Sequence, residues 1–183
     1  MQYVREEHLV NDTIQTLKTR RSIRTFNDKP VDKALIEQII DAGLWAASGI
    51  GKQVPIIVAV TDPELRDRLS AMNAKIMGKE GFDPFYGGRT VLIVLSDRSV
   101  PTYVYDGALV MGNLMNAAES LGVGSIWIHR AKEEFDSEEG KAILAKLGIE
   151  GDYEGIGHCV LGYSDKPAPA GAPRKDGRVF WAE

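Results

Sequence analysis

The chain has 183 residues, 44% of them hydrophobic and 26% charged, which is the composition of a globular protein rather than of a disordered or fibrous one. Its 22 basic and 26 acidic residues give a formal net charge of -4, which argues against a general nucleic-acid binder because the phosphate backbone requires a basic surface. Residues 1–10 lack a signal-peptide core and no apolar stretch approaches the roughly 18 residues of a membrane span, so we expect a soluble, cytoplasmic protein.

Apolar spacing and capping residues predict the elements of the first half of the chain. Asn11 and Asp32 stand where a helix needs a side-chain acceptor, and Pro63 suits a first helical turn. A continuous run of β-branched residues is typical of a buried strand. The predicted elements are a helix over residues 11–20, a helix that follows Asp32 and runs to Leu44, a strand over 55–60 and a helix over 62–76.

The second half of the chain also mixes strands and helices. Its longest helix is apolar on most sides, which indicates a place in the core or at a subunit interface, and Gly107 and Gly112 would permit close packing there. The whole pattern predicts one domain over residues 1–183, with a sheet covered by helices in the α+β or α/β class. The predicted elements are a strand over 90–96, the long helix over 103–121, a strand over 122–129, a helix over 137–148 and a strand over 154–163.

Two segments show no regular pattern. Residues 78–90 combine glycines with three aromatic residues, a composition that predicts a mobile flap over a site. Residues 164–183 are too rich in Pro, Ala and Gly to pack a core alone. They nevertheless end in Val179, Phe180 and Trp181, so we expect an extended arm that docks on a partner subunit.

The cysteine and histidine content predicts no metal centre and no disulfide. Cys159 is the one cysteine and lies in an apolar run, so we expect a buried strand residue. With only three histidines besides, no metal-ligand spacing occurs. His129 and His158 are candidate proton donors, but a histidine beside an apolar strand is more often structural.

The tightest basic cluster stands where the first helix ends. A guanidinium can grip a phosphate with two parallel hydrogen bonds, and a serine adds a hydroxyl donor. A second basic cluster lies near the far end of the chain. A solvated basic turn and an anion site both fit these residues, which are Arg20, Arg21, Ser22 and Arg24 in the first cluster and Arg174, Lys175 and Arg178 in the second.

The glycine-bearing segment 47–53 lies between a helix and a strand. It is not a phosphate-binding P-loop, because Gln53 stands where Ser or Thr would hold magnesium and because a strand should precede such a loop. Residues 122–125 likewise lack the order of a dinucleotide fingerprint. Two interpretations of 47–53 remain: a plain turn, or a loop that lets its backbone approach a flat ligand, with Ser48 and Gln53 as polar contacts.

Four motifs follow one another along the chain. An Arg-x-Ser-x-Arg pattern (Arg20, Ser22, Arg24) comes after the first helix, and the 47–53 loop comes after the second. A Gly-x-Gly-Ser-x-Trp strand over 122–127 follows the long helix. A Leu-Gly-Tyr strand end at 161–163, a Pro-rich stretch and an Arg-Lys pair at 174–175 close the chain. In this order, over roughly residues 12–181, they resemble the FMN-dependent nitroreductase family.

The resemblance implies an α+β fold with a central mixed, mostly antiparallel sheet covered by helices. It also implies a homodimer that holds FMN at its interface, with the C-terminal arm (about 164–183) extending onto the partner subunit. The implied cofactor contacts are Arg20, Arg21, Ser22 and Arg24 at the phosphate and the pyrimidine edge, Arg174 and Lys175 at the phosphate, Ser48, Gly51 and Gln53 from the other subunit, and Ile126, Trp127 and Ile128, with backbone N–H groups up to His129, along the flavin ring.

The activity implied by the resemblance is transfer of a hydride from NAD(P)H through bound FMN to a nitroaromatic, quinone or related small acceptor, by a ping-pong mechanism. No catalytic side chain is expected because the flavin carries the chemistry. Gly51 and Val54 depart from the Asn and Pro that the family often has, so the acceptor is open. The alternatives are a flavin-binding module, such as a redox sensor or flavin carrier, and another flavin chemistry, such as reductive dehalogenation or flavin fragmentation.

Overall fold

A computed structural model describes residues 11–183, so the prediction made for residues 1–10 lies outside the described residues. The described chain forms six α-helices and four β-strands, each close to where the sequence predicts it apart from α5. The helices are α1 (Asp12–Thr19), α2 (Lys33–Leu44), α3 (Pro63–Ile76), α4 (Tyr103–Ser120), α5 (Ala131–Asp136) and α6 (Glu138–Lys146), and the strands are β1 (Pro55–Val60), β2 (Thr90–Asp97), β3 (Gly124–Ile128) and β4 (Tyr153–Gly162).

The four strands form one sheet in the order β1-β2-β4-β3, and all neighbouring pairs are antiparallel. One isolated parallel bridge joins Ser22 to Ser125 at the β3 edge. The α+β class and the mostly antiparallel sheet are therefore confirmed. Strand β2 is buried on both faces, which explains its continuous apolar sequence.

Helices cover both faces of the sheet, and each face has its own hydrophobic cluster. Alternate residues of β2 serve the two faces, since side chains of a strand point to opposite sides. Val91, Ile93 and Leu95 pack with residues of α3, α5 and α6. Leu92 and Val94 pack with residues of α2 and α4.

Helix α4 lies against the second face along one of its own sides. Gly107 permits a close approach, as predicted, because a Cβ there would lie 2.5 Å from Ile156 Cγ1. Gly112 does not serve this purpose, since a Cβ there would meet nothing within 4 Å. The other side of α4 leaves Tyr105 and Leu109 largely exposed, so the helix is half core and half uncovered surface.

The prediction of a mobile flap at residues 78–90 is wrong for the middle of that segment. Phe85 has no exposed surface and belongs to the first hydrophobic cluster. Asp83 accepts hydrogen bonds from Arg66 and Ser70 of α3 and from the backbone N–H groups of Phe85 and Gly87. One acidic side chain thus anchors the loop to α3, a role that composition does not reveal.

The C-terminal arm, residues 164–183, forms neither helix nor strand and is exposed along most of its length. Its apolar end remains uncovered, with Val179, Phe180 and Trp181 exposed by 72%, 89% and 83%. The arm passes over the first basic cluster, because a Cβ at Gly171 would lie 2.1 Å from Arg21 Nη2. Among the described residues, no helix is long and apolar enough to cross a membrane.

Candidate functional site

The first basic cluster begins at the C-terminal end of α1 and runs beside β3. The Arg20 N–H closes the helix by donating to the Thr16 carbonyl. The next residues then follow the sheet edge: Ser22 pairs with Ser125, and the Ile23 N–H donates to the Ser125 carbonyl at 3.0 Å. The end of a helix and the start of a strand thereby bring Arg20, Ser22 and Ser125 to one place.

Arg20 carries a cation without a protein partner. Its Nη1 atom is buried, and within residues 11–183 it has neither a hydrogen-bond acceptor nor an ion-pair partner. Burial raises the pKa of the neighbouring Cys159 thiol to about 12, and the positive charge of Arg20 only partly opposes that effect. A buried guanidinium nitrogen without a partner is costly, so this position fits an anionic ligand.

Ser125 offers a second buried polar group at the same edge. Its Oγ also lacks a partner among the described residues, and the residue is 2% exposed. The sequence interpretation missed Ser125 as a site residue, although it stands in the Gly-x-Gly-Ser motif. A buried hydroxyl and a guanidinium nitrogen, both without a partner on this short stretch of chain and strand edge, are donors that an oxyanion or a flavin carbonyl could accept from.

The other two arginines of the cluster differ from Arg20. Arg21 donates through Nη1 to the carbonyls of Lys18, Thr19 and Arg20 at 2.8 to 3.0 Å, so its guanidinium caps the end of α1. Arg24 is exposed and makes no ion pair within the described part of the chain. Arg24 is thus available to a ligand, whereas Arg21 already has a structural role.

The loop between α2 and β1 is a 3-10 turn at Gly49–Gly51 held by short polar contacts. The Ser48 hydroxyl accepts from the Gln53 N–H at 3.0 Å, so these two predicted residues lie together. The Gly49 N–H donates to Asp106 of α4, also at 3.0 Å. Sequence interpretation did not identify Asp106, a 3% exposed anchor of this loop.

This loop also carries unfavourable backbone conformations. Ile50 and Gln53 have φ values of 48° and 51°, in the left-handed region that a β-branched residue rarely adopts. Ile50 is 94% exposed, so it presents an apolar side chain to solvent. Within the described chain, no hydrogen bond joins this loop to Arg20, Ser22 or Arg24. This agrees with the expectation that the loop contributes to the site of another subunit rather than to the site of its own chain.

Two of the side chains predicted to contact the cofactor from β3 face the core, so this strand can offer a ligand its backbone more readily. Ile126 and Ile128 are 3% and 6% exposed and belong to the first hydrophobic cluster. Trp127 points to the other face and packs so closely on β4 that a Cβ at Gly157 would lie 2.2 Å from its Nε1. The alternation of side chains along a strand accounts for this division.

The second basic cluster lies on the arm. Arg174 and Lys175 are exposed, and Arg174 Nη2 donates to the Ala172 carbonyl at 3.0 Å. Gly171 contacts Arg21, and three residues of extended chain span about 10 Å. The fold therefore brings the two clusters into the same neighbourhood without placing Arg174 or Lys175 against Arg20.

The two candidate histidines differ in accessibility. His158 has no exposed surface and its Nε2 lies 3.1 Å from a carboxylate oxygen of Glu134, which supports a structural role. His129 is exposed at the end of β3. Within residues 11–183, no three His, Cys, Asp or Glu side chains are placed to hold a metal ion. Cys159 is buried on β4, as predicted.

The comparisons with known proteins agree on one family. The model of the nitroreductase family matches residues 17–163. The chain is 33% identical over 129 residues to the NADPH-flavin oxidoreductase of Vibrio harveyi, covering 65% of this chain and 54% of that protein. It is 29% identical over 136 residues to an FMN reductase of Bacillus subtilis, covering 64% and 53%. The chain thus spans about half the length of these two curated relatives.

A solved structure also matches the fold closely. The nitroreductase with bound FMN from Bacteroides fragilis superposes with a TM-score of 0.85 at 26% sequence identity. The match covers 94% of this chain and 100% of that one. The similarity therefore includes nearly all of this chain and the whole length of that one.

Proposed function

Because the chain belongs to the nitroreductase family, we propose that it binds FMN and works as an NAD(P)H-dependent oxidoreductase. The observation that carries the proposal is the buried Nη1 of Arg20, a cationic donor without a partner in residues 11–183. A ligand with a phosphate and an electron-poor ring bearing carbonyl oxygens would supply the missing acceptor. Two relatives named for flavin reduction and a solved relative with bound FMN support the same choice.

The residues present fit this cofactor. Arg20 and Arg24 provide positive charge for the phosphate or for the pyrimidine edge, where reduced flavin carries negative charge. Ser22 and Ser125 add hydroxyl donors, and the arm would add Arg174 and Lys175. When bound, FMN supplies two-electron chemistry, taking a hydride from NAD(P)H and passing it in a ping-pong sequence to a nitroaromatic, a quinone or a related acceptor.

We further propose a homodimer with FMN at its interface. A groove of about 360 Å³ between α1, α2 and α4 is open on the surface, lined among others by Leu17, Ala42 and Ala117. Further exposed apolar side chains occur on α4, at the end of α2 and on the 47–53 loop. Such an uncovered apolar surface favours association, and its largest members are Leu17, Trp45, Ile50, Tyr105 and Leu109.

A second copy fits this surface because each chain also carries an exposed apolar arm end. The 47–53 loop, which holds Ser48 and Gln53, would then face the partner's ligand. We propose a cytoplasmic location for this dimer, which is supported by a single buried cysteine and the absence of any disulfide.

The decisive test of the cofactor is Arg20→Met, which keeps the apolar stem and removes the charge. We expect the wild-type protein to be yellow and to release FMN on denaturation. The dissociation constant of FMN should rise by at least about tenfold in the variant, since charged hydrogen bonds contribute about 1.5–3 kcal/mol. Fluorescence titration of the apoprotein measures this.

The matched control is Arg68→Met. Arg68 is half exposed and pairs with Glu139 on the surface of the other face, so its loss should leave FMN binding unchanged. A colourless wild-type protein that does not bind added FMN would contradict the proposal.

A flavin-binding module without turnover is the second candidate function. Gly51 favours it, because this position offers no side chain to a substrate and faces open space with φ of 66°. Steady oxidation of NADH or NADPH with a quinone or a nitro acceptor supports the enzyme, whereas bound FMN without turnover supports the module. An anaerobic panel of halogenated and nitro substrates would detect another flavin chemistry.

A further inference from the structure

A buried polar cluster lies behind the end of β3, outside every motif used above. It contains Asn73 of α3, Glu134 of α5 and His158 of β4, and none of the three has exposed surface. Arg130, which is partly buried, completes the cluster at its outer side. The hydrogen bonds within this cluster all involve Asn73, whereas the His158 ring nitrogens and one Glu134 oxygen have no hydrogen-bond partner among the described residues.

Asn73 is the centre of the cluster because both atoms of its amide are used. Nδ2 donates to the His129 carbonyl at 2.8 Å and also to the Glu134 carboxylate. Oδ1 accepts from Arg130 Nε at 2.9 Å. The reverse orientation of the amide would set its oxygen against a carbonyl and a carboxylate, so the neighbours allow one orientation only.

Glu134 and His158 support Asn73 from behind. The second carboxylate oxygen of Glu134 lies 3.1 Å from His158 Nε2. The His158 ring packs against Phe85 and Phe135, with ring centroids 5.2 Å and 6.3 Å away. Neither that oxygen nor the His158 ring nitrogens make a hydrogen bond among the described residues, so His158 confines the carboxylate by packing, and the one hydrogen bond to the Glu134 side chain comes from Asn73.

Asn73 holds a strained turn. Arg130 has φ of 79° and ψ of 6°, a left-handed conformation that costs a non-glycine residue about 1 kcal/mol or more. The peptide between His129 and Arg130 is trans, and its carbonyl points to Asn73, so its N–H points the opposite way. Within residues 11–183, that N–H donates to no backbone carbonyl.

We propose that Asn73 is a positioning residue for the flavin site. It fixes the His129–Arg130 peptide, so that the Arg130 N–H on the outer side of this turn is oriented to donate to the flavin ring. The inference rests on the proposed function and on the arrangement implied by the family resemblance, in which residues 126–129 lie along the flavin ring. Donors that are already oriented bind without reorganisation, and without Asn73 the turn would have to be ordered when the ligand arrives.

The test compares Asn73→Leu with Met72→Ala. Met72 is the adjacent residue of α3, 8% exposed in the first hydrophobic cluster, so its truncation destabilises the same helix without touching the turn. For each variant we would measure unfolding of the apoprotein in urea, the dissociation constant of FMN by fluorescence, and the visible spectrum of bound FMN.

We expect both variants to lose stability, but only Asn73→Leu to weaken FMN binding by about tenfold and to shift the flavin absorption bands. If Asn73→Leu does not fold, Asn73→Leu with Glu134→Gln replaces it, because this pair leaves no buried carboxylate without its donor. Equal FMN affinity and spectra in the Asn73 and Met72 variants would overturn the inference while the proposed function stands. A wild-type protein that binds no FMN would overturn the proposed function itself.

Discussion

Ile50 combines an unfavourable backbone conformation with an apolar side chain that is exposed to solvent. Its left-handed backbone conformation is unfavourable for a β-branched residue, and its side chain is 94% exposed and gains nothing from burial in the isolated chain. Strain of this kind is concentrated at functional sites. The loop that carries Ile50 is the one proposed to face the partner's flavin.

We predict that Ile50→Gly stabilises the isolated chain by about 1 kcal/mol, because glycine adopts this conformation without a steric penalty. Urea unfolding at low protein concentration measures the change. The matched control is the neighbouring Gly51→Ala, where φ is 66° and the surrounding space is open, so a loss of about 1 kcal/mol comes from conformation alone. A destabilised Ile50→Gly would show that the side chain has packing partners in solution.

Individual site residues were predicted unevenly from the sequence. Arg20 could be predicted because the Arg-x-Ser-x-Arg pattern is present in the sequence. In the fold, its Nη1 atom has no partner among the described residues. Ile126 and Ile128 belong to a motif of the same kind, yet their side chains face the core. Asn73 gives no signal at all, because its partners lie 56 and 61 residues away in sequence.

At the scale of elements, boundaries were predicted where a local side chain fixes them. Asn11, Asp32 and Asp62 each accept a hydrogen bond from a backbone N–H in the first turn of their helix, so those starts are written in the sequence. The loop at 78–90 was misjudged because Asp83 anchors it through Arg66, which lies 17 residues earlier. Contacts between residues this far apart produce no periodic pattern in the sequence, so the sequence does not predict them.

We predict that Asp83→Asn destabilises the protein by about 2–3 kcal/mol, since it weakens four hydrogen bonds and leaves the buried Arg66 without its strongest partner. Burial opposes ionisation of Asp83, but the bonds from Arg66, Ser70, Gly87 and Phe85 outweigh it and hold its pKa below 3.8. Stability from a lowered carboxyl pKa is present above the unfolded-state value and is lost as pH falls through the folded-state value. The gap between wild type and variant should thus be constant above about pH 5 and shrink below about pH 4.

The control for this experiment is Asp67→Asn. Asp67 also contacts Arg66, at 2.9 Å, but its side chain is 73% exposed, so the expected change is below about 0.5 kcal/mol. Similar losses in both variants, or a gap that does not shrink at all as the pH is lowered from 5 to 3, would contradict the assignment of Asp83 as the loop anchor.

Helix α4 offers a second prediction at this scale, since it contains one glycine that packs and one that does not. Gly107→Ala should destabilise the protein by about 1–3 kcal/mol because its Cβ would meet Ile156. Gly112→Ala should stabilise the isolated chain by up to about 1 kcal/mol through helix propensity. Thermal unfolding of both variants checks this, and a reversed order would show that α4 packs differently.

At the scale of the whole molecule, the sequence predicts the family and the sheet, because ordered motifs over most of the chain constrain both. The association state is a different problem. An apolar residue left outside the core looks the same in the sequence as one inside it, and only the fold shows that Trp45, Ile50 and Trp181 are more than 80% exposed. The dimer is therefore argued from uncovered surface rather than from any motif.

We predict that Phe180→Ser with Trp181→Ser weakens the dimer at least about tenfold, because exposed aromatic residues are the usual energetic anchors of an interface. Light scattering across a concentration series gives the mass, and FMN titration of the same samples gives the affinity. Since each proposed site combines Arg20 of one chain with Ser48 and Gln53 of the other, FMN affinity should fall together with the dimer fraction. Leu147→Ser, a half-exposed residue at the end of α6 on the opposite face, should change neither quantity. A monomeric wild-type protein that still retains FMN would show that one chain completes the site alone, and would leave the arm and the 47–53 loop without the role argued for them.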